Sequence, residues 1–207
     1  MLQAISPERP LRSITGLLLA AGRGTRFDPT GKHNKLLQPL PNGNAVALAA
    51  AKNLLASLPS VLAIVRPGAD SLALQLHALG CEIAVCPSAD EGMAASLVHG
   101  LTCASDAGGW VIALADMPYI QPTTIRMLAN ALADGAPIAV PTYQGRRGHP
   151  VAFGRAHLPE LMQLRGDQGA RRLLKAFPVI EIATDDPGIV QDIDRAEDLQ
   201  QGCLMRS

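Results

Sequence analysis

Apolar residues fall along this chain in two alternating rhythms. Residues 14–20, 61–66, 82–86 and 110–115 are short, nearly continuous apolar runs, and they predict strands. Between them, residues 45–58, 70–79 and 92–104 repeat apolar positions at helical spacing and are rich in Ala and Leu. Strand–helix alternation implies right-handed crossovers and a mainly parallel sheet with helices on both faces, a Rossmann-like three-layer α/β sandwich. Residues 138–140, 151–153 and 179–183 predict further strands, some of them antiparallel. Residues 122–133, 155–164, 168–176 and 195–200 predict helices. No internal repeat, low-complexity run or long linker divides the chain. We therefore expect a loose N-terminal arm over residues 1–13 and a single domain over residues 14–207.

Composition narrows the function classes. At 207 residues, 48% hydrophobic and 17% charged, the chain can bury a sizeable core. A net charge of zero argues against a sequence-independent grip on nucleic acid, which needs a basic surface. No apolar run approaches the ~20 residues of a membrane span, and the first dozen residues lack the apolar core of a secretion signal. The four cysteines, Cys81, Cys86, Cys103 and Cys203, form no C-x-x-C pair and read as free, mostly buried thiols of a reducing cytoplasm.

The first apolar run ends abruptly in Leu19-Ala20-Ala21-Gly22-Arg23-Gly24-Thr25-Arg26. A strand running into Gly-x-Gly can aim several backbone N–H groups at one anion, because glycine lets the backbone come close. Arg26 adds a positive charge, and Lys35 supplies a second. Two common phosphate motifs fail here. The dinucleotide fingerprint needs glycine where Phe27 stands, and the P-loop needs glycine at Arg26 and Ser or Thr at His33.

Ligands in open α/β sheets gather at the carboxyl ends of the strands. Asp116 stands at such an end, after residues 110–115 and two residues before Pro118, which stops the strand. It lies too far upstream to cap the helix that Pro122 opens. A second acidic cluster is Asp192-Ile193-Asp194. Asp194 with Glu197 three residues on makes a capping box, and one aspartate of the cluster can also join Asp116 on Mg²⁺. Asp194 is the preferred ligand and Asp192 the alternative. In Gly148-His149-Pro150-Val151-Ala152-Phe153, Pro150 drives His149 out of the helical region. Arg146 and Arg147 upstream could attract an anion or form a solvated turn. Asp167 can cap the helix after Gly169, whose open N–H groups also suit phosphate. The small residues of Gly92-Met93-Ala94-Ala95-Ser96 would let a helix start approach a flat ring or sugar. The other histidines lack metal-ligand spacing, and no G-x-S-x-G elbow is present.

These strings resemble, in order and over residues 17–199, the nucleotidyltransferases that share the fold of the molybdenum-cofactor guanylyl- and cytidylyltransferases. The resemblance rests on L-A-A-G-x-x-x-R, Lys35-Leu36-Leu37, G-M-x-x-S-L, Asp116-Met117-Pro118, G-H-P-V-x-F, G-D-x-G-A-R and the aspartate pair before Glu197-Asp198-Leu199. It is closest to the cytidylyl branch, since the guanylyl branch carries L-A-G-G. It implies the nucleotide-diphospho-sugar transferase type of fold and transfer of CMP from CTP to a phosphate-bearing acceptor of molybdopterin type. A cofactor-accepting molybdoenzyme or chaperone is an implied partner. Leu19, Ala20, Ala21, Gly22, Gly24, Gly92 and Ser96 would then hold the nucleotide, Arg26 and Lys35 the triphosphate, and Asp116 and Asp194 the Mg²⁺. His149, Asp167 and Gly169 would border the acceptor. The chain departs from the pattern at Ala196, where the family has proline, and by an insertion over residues 27–34. The insertion leaves Lys32 as an alternative to Lys35. A sugar-phosphate or other small-molecule-phosphate nucleotidyltransferase is the main rival. A non-catalytic nucleotide-binding module is another, against which Arg26, Lys35, Asp116 and Asp194 argue together.

Overall fold

The computed structural model describes residues 13–30, 33–166 and 170–201. Lys32, Asp167, Gly169, Cys203 and residues 1–12 of the expected arm lie outside the described residues.

Strands β1 (Ile14–Ala20), β2 (Ser60–Val65), β3 (Glu82–Val85) and β4 (Gly109–Leu114) run parallel. They are followed by β5 (Ile138–Tyr143), the two-residue β6 (Arg146–Arg147), β7 (Val151–Gly154) and β8 (Ile180–Ala183). All eight join one sheet in the order β3-β2-β1-β4-β7-β5-β6, with β8 also pairing β5. β7 is antiparallel to both β4 and β5, β6 is antiparallel to β5, and β8 is parallel to it. The sheet is thus mainly parallel with antiparallel pairing confined to one side, as the pattern predicts.

Alternation along each strand builds two cores. Leu18, Ala20, Val61, Ala63, Val111 and Ala113 face helices α1 (Val46–Leu55), α2 (Asp70–Ala78) and α4 (Pro122–Ala133). Leu17, Leu62, Ile64, Trp110 and Ile112 face α3 (Met93–Cys103), α5 (Leu158–Leu161) and α6 (Arg171–Ala176). Side chains two residues apart share a face, so an apolar run this long must be covered twice. Trp110, the largest buried side chain, satisfies its indole N–H on the Ala104 carbonyl at 3.0 Å.

Several predicted helices are shorter than their patterns, and two of them show why. Residues 155–164 split into a 3₁₀ turn, Arg155–His157, and α5. Pro159 has no N–H to donate back to residue 155, so the helix starts afresh there. The last helix, α7 (Asp198–Gln201), begins later than residue 195. The Asp198 carboxylate accepts the N–H groups of both Asp194 and Arg195, at 2.9 and 2.7 Å. Asp194 is therefore not the cap that its spacing from Glu197 implies, and its own carboxylate is left for other partners.

Candidate active site

The loop after β1 turns tightly on Gly24, whose carbonyl accepts the N–H groups of Phe27 and Asp28 at 2.9 and 3.1 Å. Gly24 has φ of +64°, and a Cβ there would stand 3.3 Å from the Lys35 Cβ. Glycine is favoured there by its backbone conformation, and any Cβ would crowd Lys35. The inserted segment is organised by Asp28. Its carboxylate accepts from the Thr30 amide at 2.8 Å and hydroxyl at 2.6 Å and from the His33 amide at 2.8 Å. The Thr30 and His33 hydrogen bonds hold the Asp28 carboxyl far below the ordinary carboxylate range. Asp28 thus bonds directly to His33, two residues before Lys35. There the Asn34 side chain accepts the Leu36 N–H at 3.0 Å and opens a short 3₁₀ turn, Lys35–Leu37, pinned by buried Leu36.

Lys35 Nζ lies 2.7 Å from Asp116 Oδ2 and 3.5 Å from Asp194 Oδ1. Its side chain is only 11% exposed. Arg26 Nη1 donates to the other Asp194 oxygen, Oδ2, from the solvent side. Asp116 is delivered by β4, whose exit is tied to β1 through Ala115 N–H to the Leu19 carbonyl at 3.1 Å. Asp194 is carried in from the far end of the chain by Ile193 N–H, which donates to the Asp116 carbonyl at 2.9 Å. Four side chains from three distant segments, Arg26, Lys35, Asp116 and Asp194, therefore meet at one sheet edge, as their motifs predict. The ammonium bridging two carboxylates shows that this geometry accepts a cation between them.

A cleft of about 460 Å³ opens beside this cluster. Leu19, Ala21, Gly22, Gly24, Gly92, Ser96, Lys35 and Asp116 all contribute to its wall. Ala20 does not. It is buried in the core on the opposite face of β1, because alternation sends it away from Leu19 and Ala21. The wall also holds Arg23 and Asp90, which the motifs do not single out, and Arg66 reaches Asp90 from outside the wall. Asp90 takes the Arg23 guanidinium through two contacts of 2.9 and 2.6 Å and the Arg66 guanidinium through one of 2.9 Å. The Arg23 hydrogen bond holds the Asp90 carboxyl below its usual value. Arg66 could have been found by the rule that found Asp116, since it is the charged residue that ends an apolar strand.

His149 stands away from the cleft wall. Its backbone N–H donates to the Ile189 carbonyl at 2.8 Å, and only glycine fits at Gly148, where a Cβ would lie 2.3 Å from that same carbonyl oxygen. The ring's Nδ1 is buried and has no hydrogen-bond partner among the described residues. Burial pushes the His149 pKa down, opposed by the Asp116 charge and aided by Arg171. Arg147 pairs with Glu181 at 2.6 Å, which makes it part of the β-sheet rim, and Arg146 is exposed. Asp192 bonds to none of the four clustered side chains. Partial desolvation of its carboxyl, followed by the charge of Asp194, pushes it above the ordinary range.

A larger cavity, about 630 Å³, lies between α1 and the 186–191 turn. The carboxylate in its wall, Asp186, is already taken up by Gln121 N–H and the Thr124 hydroxyl, both at 2.7 Å, and Gly188 N–H at 3.0 Å. Asp186, not Asp116, is thus the acid at the start of α4. The charged cluster belongs to the smaller cleft.

The MobA-like NTP transferase domain matches this chain over residues 16–182. The chain belongs to that family. It is a nucleotidyltransferase with a Rossmann-like α/β fold. The purine catabolism protein PucB of Bacillus subtilis is 33% identical over 201 residues, covering 89% of this chain and 93% of that protein. The crystal structure of Rv0371c from Mycobacterium tuberculosis is 28% identical, with a TM-score of 0.81 over 93% of this chain and all of that one. A manganese complex of Rv0371c is similar at 27% identity, with a TM-score of 0.74 over 90% of this chain and 95% of that one. Within this MobA-like NTP transferase, no helix among the described residues is long and apolar enough to cross a membrane.

Proposed function

We propose that this MobA-like enzyme transfers CMP from CTP to a phosphate-bearing acceptor of molybdopterin type, with Mg²⁺ held by Asp116 and Asp194. The observation that carries the reading is the Lys35 ammonium between those two carboxylates, beside the glycine loop. An acceptor phosphate oxygen attacks the α-phosphorus of CTP in line, the bond to the β-phosphate oxygen breaks, and pyrophosphate leaves. A phosphate monoester has its second pKa near ~6, so at neutral pH the attacking group is already largely a dianion. No strong base is required of the protein. Its work is to position the two phosphates and neutralise charge.

The backbone of Gly22 and Gly24 would cradle the triphosphate, with Arg26 and Lys35 neutralising the charge that builds on pyrophosphate. Mg²⁺ on Asp116 and Asp194 would supply further neutralisation at the phosphates. The manganese complex of a relative at 27% identity supports a divalent cation. CTP is supported by the Ala20-Ala21-Gly22 string and by a cleft wall of small residues, Ala21, Gly22, Gly92 and Ser96. His149 faces the acceptor in this reading. Its buried Nδ1 is a polar atom that a bound phosphate would satisfy.

Pyrophosphate release, followed with Mg²⁺, each nucleoside triphosphate and a panel of acceptors, tests the whole proposal. CTP with a molybdopterin-type acceptor should be the most active pair. A tenfold preference for GTP, ~1.4 kcal/mol, would move the enzyme to the guanylyl branch. Turnover with sugar phosphates alone would overturn the acceptor.

A further inference from the structure

We infer, on the reading that Asp116 and Asp194 are the metal ligands, that Lys35 occupies the cation seat of the nucleotide-free enzyme and so makes metal binding depend on nucleotide. The Lys35 ammonium is 2.7 Å from one carboxylate and 3.5 Å from the other. A Mg²⁺ ion bound to both would need oxygens at about 2.0–2.1 Å. The ammonium and the ion cannot share that space, and their charges repel.

Lys35 is well held in this position. Its side chain is 11% exposed, so solvent screens the pairing less than it would a surface ion pair. Its backbone is fixed by the Asn34 side chain on Leu36 N–H, by buried Leu36 and by Gln38 N–H on the Lys35 carbonyl at 3.2 Å. Only the four-carbon stem is left to move. Arg26 reinforces the same occupancy from the exposed side, on the second oxygen of Asp194.

The described residues offer the ion little besides these two acids. Among the described residues, no three His, Cys, Asp or Glu side chains converge on a metal position. The remaining ligands must come from water and phosphate. A triphosphate on the Gly24 loop lies against Lys35, since that glycine abuts the Lys35 Cβ. It would act twice, drawing the ammonium off the carboxylates and supplying oxygens to the ion. Metal and nucleotide then strengthen each other's binding by the same factor, as linkage requires.

The consequence is that removing a lysine placed at the triphosphate should improve cation binding to the free enzyme. Mn²⁺ is the probe, titrated by electron paramagnetic resonance into the full chain with and without α,β-methylene-CTP, with binding to the analogue alone subtracted. Without nucleotide, Lys35→Met and Lys35→Gln should each bind Mn²⁺ at least about tenfold tighter than wild type, a difference of ~1.4 kcal/mol. The analogue should enhance Mn²⁺ affinity more in wild type than in either variant. Circular dichroism checks folding, and Lys35→Gln, which keeps a polar end, carries the test should Lys35→Met unfold. Mn²⁺ binding by the variants that is no tighter than wild type overturns the coupling. If Asp116→Asn still weakens Mn²⁺ binding in that event, the ligand assignment survives and only the role of Lys35 falls. If Lys35→Met/Asp116→Asn and Lys35→Met/Asp194→Asn bind as tightly as Lys35→Met, the ligand assignment itself fails, and the coupling with it.

Discussion

The Asp116 edge and the Asp186 turn stand at the same end of the sheet, joined through residues 117–121, and each brings in one carboxylate. Asp186 is 1% exposed and accepts from two backbone N–H groups and one hydroxyl, all fixed donors. Asp116 keeps a side chain 24% exposed and faces a lysine on a long stem. A carboxylate saturated by rigid donors fastens the chain and has nothing left for a ligand. A carboxylate facing a movable ammonium can exchange that partner for another cation. The kind of partner, more than the charge, separates the structural acid from the one we propose as a metal ligand. Asp28 and Asp198 fall on the structural side by the same test, since each is taken up by nearby backbone N–H groups.

The strongest way to break this contrast is within the acidic pair near the C-terminus. Asp194→Asn should lower turnover by about 10²-fold, the scale of one lost electrostatic contact to developing charge. Asp192→Asn should have a mild effect, because Asp192 bonds to neither Lys35 nor Arg26. Steady-state rates decide it, and the reverse order would transfer the role to Asp192.

Next comes Asp186→Ala, which strands buried donors at the start of α4 and in the 186–188 turn. It should cost about 2–4 kcal/mol of stability, given ~1–3 kcal/mol for each buried group left unsatisfied. Denaturant melts measure this. Turnover per folded molecule should stay near wild type, and a stable but inactive variant would erase the contrast with Asp116.

A smaller effect is expected at His149, which belongs to neither acid. Burial lowers its pKa in the folded state, so the unfolded chain binds more protons once the pH falls below the ordinary histidine value of about 6.5. Stability is complete above that pH and declines as the pH drops through it. His149→Gln should flatten the decline in melts recorded between about pH 7 and pH 5. The same variant should raise the acceptor KM about tenfold, ~1.4 kcal/mol, with CTP affinity unchanged. An unchanged pH slope would remove the buried-imidazole explanation.

Much of the fold was legible because the parallel strands are apolar runs that need two covered faces. β6 was not, since two exposed arginines carry no apolar signal. Asp116 was legible because strand ends present charge at a sheet edge, and Asp194 through the resemblance of its motif. Arg66 stands at a strand end too and was passed over for want of a motif around it. Asp186 was hidden for another reason: its main partners, Gln121 and Thr124, lie 65 and 62 residues away in sequence. Local spacing cannot reveal a cap supplied from so far. The spacing to Glu197 points to Asp194 as the cap, but Asp198, four residues on, accepts the N–H groups of Asp194 and Arg195 instead. Lys35 is preferred because Leu36-Leu37 follow it as in the family's pattern, and buried Leu36 holds its backbone at the cleft, while Lys32 lies outside the described residues.

The central claim is that Asp116, bridged by Lys35 to Asp194, forms the charge-handling centre of nucleotidyl transfer. Pyrophosphate release by wild type and Asp116→Asn, with CTP, Mg²⁺ and a molybdopterin-type acceptor, tests it most directly. The expected result is divalent-dependent release in wild type and a loss of about 10²–10³-fold in a variant that melts as wild type does. A folded Asp116→Asn enzyme that turns over at the wild-type rate would contradict it.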